Sequence, residues 1–236
     1  MYDLYTVMQS VNVDLTDIQT NQFNIFYKML IDTNKVMNLT AITDYDEVLI
    51  KHFADSVAIR NVYDMSSVKN MIDVGTGAGF PGIALKIIYP DTEVLLLDSL
   101  KKRIGFLDSV IERLGLTGIK TVHGRAEDIA HNEQYREKYD LCVSRAVAAL
   151  SSLSEYCIPF VKKGGAFVSY KAAECGQEVE AAKRAVGLLG GQIREIAEYT
   201  LGPDKLVRKF VIIDKSQQTS VKYPRKAGVP SREPLK

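Results

Sequence analysis

Glycines and one aspartate alternate over a short stretch in a pattern suited to ligand binding. An apolar run at residues 71–74 contains Asp73 and is followed at once by Gly75, Gly77 and Gly79. A short apolar run predicts a strand that is buried on both faces of a parallel sheet. Glycines after such a strand let the backbone approach a ligand, and a helix that follows turns its free N–H groups toward the same place. The stretch therefore predicts a strand, a ligand-binding turn and a helix.

The spacing of these glycines fits two classes of cofactor site. Gly77, Gly79 and Gly82 fit the G-x-G-x-x-G of nicotinamide and flavin enzymes. Asp73 with the three glycines after it fits the D-x-G-x-G-x-G turn of class I S-adenosylmethionine-dependent methyltransferases. The acidic residue favours the methyltransferase, because a dehydrogenase usually has an apolar residue at that place. A glycine-rich turn that binds nothing is the third alternative.

Other polar residues follow the later predicted strands. Asp98 ends the second strand, where a carboxylate can accept hydrogen bonds from both hydroxyls of a ribose; its alternative role is to cap the next helix. Arg125, Ala126 and Glu127 follow the third strand, where the Ala126 amide and the Glu127 carboxylate could read the edge of an adenine. Arg145 ends an apolar fourth strand, which favours a role in a site over a surface ion pair.

Two more basic residues belong to the same predicted edge of the sheet. Lys171 follows the fifth strand and Arg208 opens the seventh. The histidines lack metal-ligand spacing, G-x-S-x-G is absent, and no cysteine has a nucleophile setting. Catalysis without an obvious base suits a target that is already nucleophilic, such as N7 of guanine, so that positioning supplies most of the acceleration.

Composition and charge restrict the class of protein. The chain has 236 residues, ordinary composition and a net charge of +1. Its sequence contains neither an apolar run of membrane-spanning length nor a signal peptide, which predicts a cytoplasmic protein. The three cysteines predict buried apolar positions rather than disulfides or a zinc site. Residues 215–236 carry six basic side chains and one acidic one, which points to a polyanion partner or to a solvated tail.

Strands and helices alternate after a helical N-terminal region. Helical spacing covers residues 14–37 and 44–62. The predicted strands are 69–74, 92–98, 119–123, 139–144, 165–170, 191–200 and 208–214, and the predicted helices between them are 81–89, 100–114, 147–160 and 174–189. The last two strands, joined through residues 202–204, predict an antiparallel hairpin that closes a mostly parallel sheet. This ending favours class I methyltransferases over dehydrogenases.

We accordingly expect an α/β protein with three regions. A helical cap spans residues 1–65, a domain with a seven-stranded, mostly parallel sheet spans 66–214, and a basic tail spans 215–236. The prolines of that tail predict that it has no regular structure.

Several segments together resemble the bacterial 16S ribosomal RNA guanine-N7 methyltransferase G family, also called glucose-inhibited division protein B. They are Asn34 to Ile42 with its N-L-T-A-I, Lys51-His52-Phe53-Ala54-Asp55-Ser56, the glycine turn from Asp73 to Gly82, Ser144-Arg145-Ala146-Val147-Ala148, and Lys222 to Pro230 with K-Y-P-R-K-x-G-x-P. The resemblance extends from about residue 20 to the end of the chain. The glycine turn is common to many methyltransferases, whereas the other segments together are specific.

The resemblance implies a site and a reaction. A methyl group would pass from S-adenosyl-L-methionine to N7 of one guanine in 16S rRNA of the small ribosomal subunit, with no metal and no membrane, and a monomer is assumed. Positions that match the family's cofactor contacts, together with the other glycines of the turn, are Gly75, Gly77, Gly79, Phe80, Asp98, Ala126, Glu127 and Arg145. Arg145, Asn38 and Lys171 are the expected catalytic residues, and His52, Arg125, Arg208, Arg225 and Lys226 the expected RNA contacts.

One departure and three rival functions stand beside this interpretation. Ala172 follows Lys171 where relatives often have glycine, which puts the shape of that loop in doubt. The rivals are a class I methyltransferase acting on another RNA, a protein or a small molecule, a nicotinamide oxidoreductase, and an RNA-binding module without catalysis.

Overall fold

A seven-stranded sheet forms the centre of the protein. The computed structural model describes residues 2–145, 148–202 and 205–236. The strands are β1 (Asn70–Val74), β2 (Glu93–Asp98), β3 (Ile119–His123), β4 (Tyr139–Arg145), β5 (Val161–Lys171), β6 (Gly191–Leu201) and β7 (Leu206–Lys215). Their order is β3-β2-β1-β4-β5-β7-β6. The first five pair in parallel, and β7 is antiparallel to both β5 and β6, which confirms the predicted sheet and its closing hairpin.

Helices cover both faces of this sheet. They are α1 (Leu4–Gln9), α2 (Asp17–Met37), α3 (Tyr45–Val48), α4 (Asp55–Val57), α5 (Gly82–Ile88), α6 (Lys101–Leu114), α7 (Ala126–Ile129), α8 (Leu150–Cys157), α9 (Gly176–Leu188) and α10 (Val229–Arg232). A π-helical segment, Leu49–Ala54, joins α3 directly to α4. Such segments insert one residue per turn and are frequent at functional sites.

Successive side chains of the strands face two separate cores, as the alternation of a strand requires. On β1, Met71 belongs to the core that the N-terminal helices cover, together with Phe23 and Phe53. Ile72 belongs to the other core, where Leu153 of α8 lies. The three cysteines are free and buried, as predicted.

The N-terminal helices begin and end at recognisable residues. Thr16 caps α2 in a capping box with Gln19, and Asn38 ends it in the left-handed conformation at φ 49°. The prediction of a helix over residues 14–37 is therefore confirmed, whereas α1 was not predicted. Among the described residues, no helix has the length and apolar character needed to cross a bilayer.

The C-terminal tail is more regular than its prolines predicted. β7 continues to Lys215, and α10 forms within the tail, so the prediction of a tail without regular structure is wrong there. Pro230 lies in the first turn of α10, where a proline has no hydrogen bond to lose. Prolines exclude helix interiors rather than helix starts, which explains the error.

Two predicted features fall partly outside the described residues. Pro203 and Asp204 of the predicted hairpin turn lie there, and so do Ala146 and Val147, where the predicted helix 147–160 begins. The described part of that helix is α8, which is followed by a 3-10 turn at Ile158–Phe160. The boundaries of the three predicted regions stay predictions.

Candidate active site

The glycine turn after β1 is tied to the end of β2. Gly75 and Gly77 have φ values of 73° and 63°, which an L side chain rarely adopts. The Gly75 and Thr76 amides donate to the Leu97 carbonyl at 2.8 and 3.1 Å. The Gly77 amide donates to Asp98 Oδ2 at 2.9 Å. The turn and the carboxylate thus form one unit at the carboxyl edge of the sheet.

Gly79 serves the helix rather than the cavity. A Cβ added there would lie 2.6 Å from Ile83 Cδ1, so the absence of a side chain lets α5 pack closely. Gly75 and Gly77, by contrast, line the cavity described next. The predicted set of cofactor glycines therefore divides into two that face a cavity and one that packs inside.

A cavity of 790 Å³ opens at this turn. Several residues predicted for the site line it together, namely Gly75, Gly77, Phe80, Asp98, His52, Arg145, Lys171 and Arg208. Residues from far apart in the chain thus converge at one place, as expected of a binding site at the carboxyl edge of an open sheet.

Arg145 is held in this cavity by three groups. Its Nη1 donates to Asp55 Oδ2 at 2.6 Å and to the Lys51 carbonyl at 3.0 Å. Its Nη2 lies 3.3 Å from His52 Nδ1. The guanidinium carbon lies 5.3 Å from the centre of the Phe80 ring, a cation–π distance. The π-helical segment and the glycine turn therefore fix the arginine from two sides.

His52 is neutral and its tautomer is determined by its neighbours. A guanidinium can only donate, so Nδ1 accepts from Arg145 and the proton lies on Nε2, which donates to Thr40 Oγ1 at 2.8 Å. Burial and the nearby Arg145 charge lower the pKa of His52 from 6.5 to about 3. The ring also stacks on Phe80 with centres 4.6 Å apart. His52 is thus a fixed neutral wall of the cavity.

Asp55 is a residue of the site that the sequence did not predict. It is buried, and its second oxygen, Oδ1, accepts from Arg208 Nε at 2.7 Å. One carboxylate therefore joins two arginines whose positions differ by 63 residues in sequence. The available signal was the spacing of His52 and Asp55, three apart on a predicted helix and hence on one face.

The remaining predicted catalytic residues have different positions. Lys171 Nζ donates to Glu178 Oε1 at 2.7 Å and is largely buried. Ala172 lines the cavity next to it. Asn38 is exposed at the end of α2, and Leu39 and Thr40 after it line the cavity instead. A catalytic role for Asn38 stays a prediction.

Asp73, which distinguished the two cofactor classes, is completely buried below the turn. Its Oδ2 accepts from the Gly82 amide at 2.8 Å. Burial raises its pKa to about 6, although the Thr76 hydroxyl and the Gly82 amide act in the opposite direction. The carboxyl therefore shapes the glycine turn from inside the protein.

A second cavity of 240 Å³ lies on the other side of Gly75 and Asp98, which line both cavities. The predicted adenine contacts Arg125, Ala126 and Glu127 line this smaller cavity. Glu127 is buried, whereas Arg125 is exposed. The predicted ribose contact thus lies between the larger cavity and the predicted adenine contacts.

The two tail residues predicted to contact RNA differ in their surroundings. Arg225 is paired with the buried Glu155, with Nη2 2.7 Å from Oε2. Lys226 is exposed.

In the described part of the chain, no group of three or more His, Cys, Asp or Glu side chains is arranged to hold a metal ion.

Comparisons with known proteins identify the family. The family model of GidB, rRNA small subunit methyltransferase G, matches residues 19–206. Ribosomal RNA small subunit methyltransferase G of Lachnoclostridium phytofermentans is 48% identical over 97% of this chain and 94% of its own length. The protein of the same name in Clostridium novyi is 46% identical over 99% and 97%.

A solved structure supports the fold. TYW2 of M. jannaschii in complex with AdoMet has a TM-score of 0.51 at 13% identity, and the similarity covers 68% of this chain and 76% of that one. The family model and the sequence identity to these relatives show the family: the chain belongs to the rRNA small subunit methyltransferase G family.

Proposed function

We propose that the protein transfers a methyl group from S-adenosyl-L-methionine to N7 of a guanine in 16S rRNA. The names of its relatives support a methyltransferase of the small ribosomal subunit. The observation that carries the proposal is the position of Arg145, held against Phe80 in a cavity that begins at the glycine turn. A nicotinamide oxidoreductase and a module without catalysis are disfavoured by the family.

The residues around the two cavities fit the cofactor. A carboxylate accepts up to about four hydrogen bonds, and Asp98 already accepts from the Gly77 and Leu100 amides and, at 3.3 Å, from Arg103 Nη1. One acceptor position remains for a ribose hydroxyl, and a second opens when the long Arg103 contact is displaced. Glu127 and the Ala126 amide suit an adenine edge in the smaller cavity. The larger cavity then takes the methionine part beside Gly75 and the acceptor base. When bound, the cofactor supplies a methyl group on a positively charged sulfur.

The reaction needs no base from the protein. The N7 lone pair of guanine forms a bond to the methyl carbon, the carbon–sulfur bond breaks, and the sulfur keeps the electron pair. No proton moves in this step. The lowered pKa of His52 agrees with this, because a histidine that stays neutral and bonded to Arg145 does not serve as a proton acceptor.

Arg145 is proposed to orient the base. Three hydrogen bonds hold its guanidinium to Lys51, His52 and Asp55, and a guanidinium has five N–H donors. The remaining donors can reach O6 of a guanine, a frequent acceptor of arginine. Positioning of this kind can supply about 7–11 kcal/mol of the barrier reduction.

The substrate surface is proposed from the remaining basic residues. Lys171 and Arg208 line the larger cavity and Arg125 is exposed at the smaller one, while Lys226 is exposed in the C-terminal tail. Phosphate contacts from such residues fit a single-stranded rRNA loop whose bases are splayed out. We also propose that the protein is a cytoplasmic monomer and that it acts on the small subunit or on its RNA.

The test is methyl transfer to RNA. Small subunits and 16S rRNA from cells that lack this protein are incubated with labelled S-adenosyl-L-methionine, followed by strand scission selective for N7-methylguanine. One new break in 16S rRNA is the expected result. Label that enters another RNA, a protein or a small molecule would support the alternative of a class I methyltransferase with a different substrate. Absence of label in every acceptor would overturn the proposal.

A further inference from the structure

The C-terminal segment, residues 216–236, folds back onto the protein beside the smaller cavity. Arg136 anchors its first half: Nη1 donates to the Tyr223 carbonyl at 2.9 Å, and Nη2 donates to the Thr219 carbonyl at 2.8 Å. His131 Nε2 lies 2.7 Å from the Pro224 carbonyl. These bonds use backbone groups of the segment, so they fix its path rather than individual side chains.

Arg225 fastens the second half of the segment to α8. Its Nε and Nη2 reach Oε1 and Oε2 of Glu155 at 2.9 and 2.7 Å, and its backbone amide donates to Oε1 at 2.7 Å. Glu155 is fully buried. Removing the charged partner of a buried carboxylate strongly destabilises the folded protein. Arg225 therefore has a structural role inside the protein, and its predicted contact with RNA stays a prediction.

The segment then reaches the residues of the smaller cavity. The Gly228 amide donates to Glu127 Oε1 at 2.9 Å, and Ser231 lines the cavity together with Glu127 and with Tyr156 of α8. Gly228 has φ 81° and is the N-cap residue of α10. The acidic residue predicted to read the adenine is thus oriented by a backbone group from the C-terminal segment.

We propose that the C-terminal segment is part of the cofactor site, with Gly228 as a positioning residue for Glu127 and Ser231 as part of the wall around the adenine. This inference rests on the proposed function in one respect, namely that an adenosyl group occupies the smaller cavity. Because coupling between two binding events is reciprocal, bound adenosyl ligand holds the segment in place, and the docked segment raises affinity for the ligand. The inner face of the segment therefore lines the cofactor site, and only its exposed face is available to contact RNA.

Two measurements on the full chain test this with S-adenosylhomocysteine as the probe. Calorimetry compares the wild type with Arg225→Gln, which breaks the pair with Glu155, and with Gly228→Pro, which removes the amide donor and cannot adopt a positive φ. Lys222→Gln is the matched control, since it removes a positive charge from the same segment where the ammonium contacts only the Tyr223 ring in the described structure. Hydrogen exchange of the wild type follows the amides of residues 226–232 with and without the probe.

We expect the dissociation constant to rise about tenfold in both variants, the loss expected when a hydrogen bond to a charged group is removed, and to stay unchanged in Lys222→Gln. The probe should also slow exchange at residues 226–232. Wild-type affinity in Gly228→Pro, or slowed exchange at the glycine turn without any change at residues 226–232, would overturn the inference and leave the proposed function intact. A wild type that does not bind the probe would instead remove the proposed function. The exchange experiment decides the matter even if a variant fails to fold.

Discussion

Asp55 binds Arg145 and Arg208, two of the three described arginines that line the larger cavity, with Oδ2 2.6 Å from Arg145 Nη1 and Oδ1 2.7 Å from Arg208 Nε. The carboxylate is buried, so water screens these interactions little. Methylation at N7 leaves a positive charge on the guanine ring, and an uncompensated pair of arginines would oppose it. Asp55 therefore both orients Arg145 and reduces the positive charge that the base encounters.

Asp55→Asn should lower turnover about 100-fold, the loss that a misplacement of about 1 Å can produce in an active site. The amide keeps one oxygen and so can serve only one of the two arginines. Affinity for S-adenosylhomocysteine should change little, because the glycine turn and Asp98 are untouched. Single-turnover methyl transfer and calorimetry measure the two quantities. Asp214→Asn is the control, since it breaks an exposed pair with Arg194 that is worth at most about 1 kcal/mol.

Arg145→Lys should abolish most methyl transfer while the protein stays folded. A lysine carries the charge but cannot contact Asp55, His52 and the Lys51 carbonyl at once, since it lacks the planar fork of donors. Turnover and circular dichroism of purified Arg145→Lys and Arg145→Ala check this. Full turnover in either variant would remove Arg145 from the proposed site.

The sequence predicted the sheet and the convergence of its loops, because both follow from local patterns. The apolar run before Gly75 and the alternation of later strands depend only on neighbouring residues, and parallel strands bring their carboxyl ends to one edge. Asp98, Glu127 and Arg145 were identified in this way and line the two cavities.

The partners of charged residues could not be predicted in the same way. Asp55 and Arg208 meet only because the tertiary fold brings the start of α4 next to β7. Likewise, nothing in the sequence near Arg225 indicates that Glu155, 70 residues earlier, is its buried partner. Pairing across long sequence separations depends on tertiary packing, so charge alone suggested a phosphate contact.

Acidification should destabilise the protein through His52. Its pKa is about 3 in the folded protein and 6.5 in an unfolded chain, so below pH 6.5 only the unfolded chain takes up this proton. The contribution of neutral His52 to the unfolding free energy is therefore fully present above pH 6.5 and is lost as the pH falls toward 3. From pH 7.5 to 5.5 the wild type should lose about 1.4 kcal/mol more unfolding free energy than His52→Gln.

Urea titrations of both proteins at the two pH values measure this difference. Asp73, with a pKa raised to about 6, acts with the opposite sign: its contribution to stability falls as the pH rises from 3.8 to 6. Because Asp73 is present in both proteins, its effect cancels in the comparison. Equal losses in the two proteins would show that His52 is protonated in the folded state.

Lys226→Ala should weaken RNA binding at a fixed salt concentration and reduce its salt dependence. Removing one phosphate contact changes the slope of log affinity against log salt by about 0.7 for single strands. Filter binding of 16S rRNA fragments at several salt concentrations measures the slope. Lys163→Ala is the matched control, because Lys163 is exposed near the start of β5, at the opposite edge of the sheet. The same slope in both variants would place Lys226 away from the RNA.

Gly82→Ala should destabilise the protein by about 1–3 kcal/mol, the usual cost of overpacking a core. A Cβ at this position would collide with Leu96 Cδ2 and would lie 2.8 Å from Asp73 Oδ2. The carboxyl that accepts the Gly82 amide would have to move, and the glycine turn above it would move as well. We therefore expect weaker binding of S-adenosylhomocysteine together with lower stability.

Gly105→Ala provides the contrast: its Cβ would meet no atom within 4 Å, and alanine favours the helix α6 by about 1 kcal/mol. Urea unfolding and calorimetry of both variants would contradict this argument if Gly82→Ala behaved like Gly105→Ala.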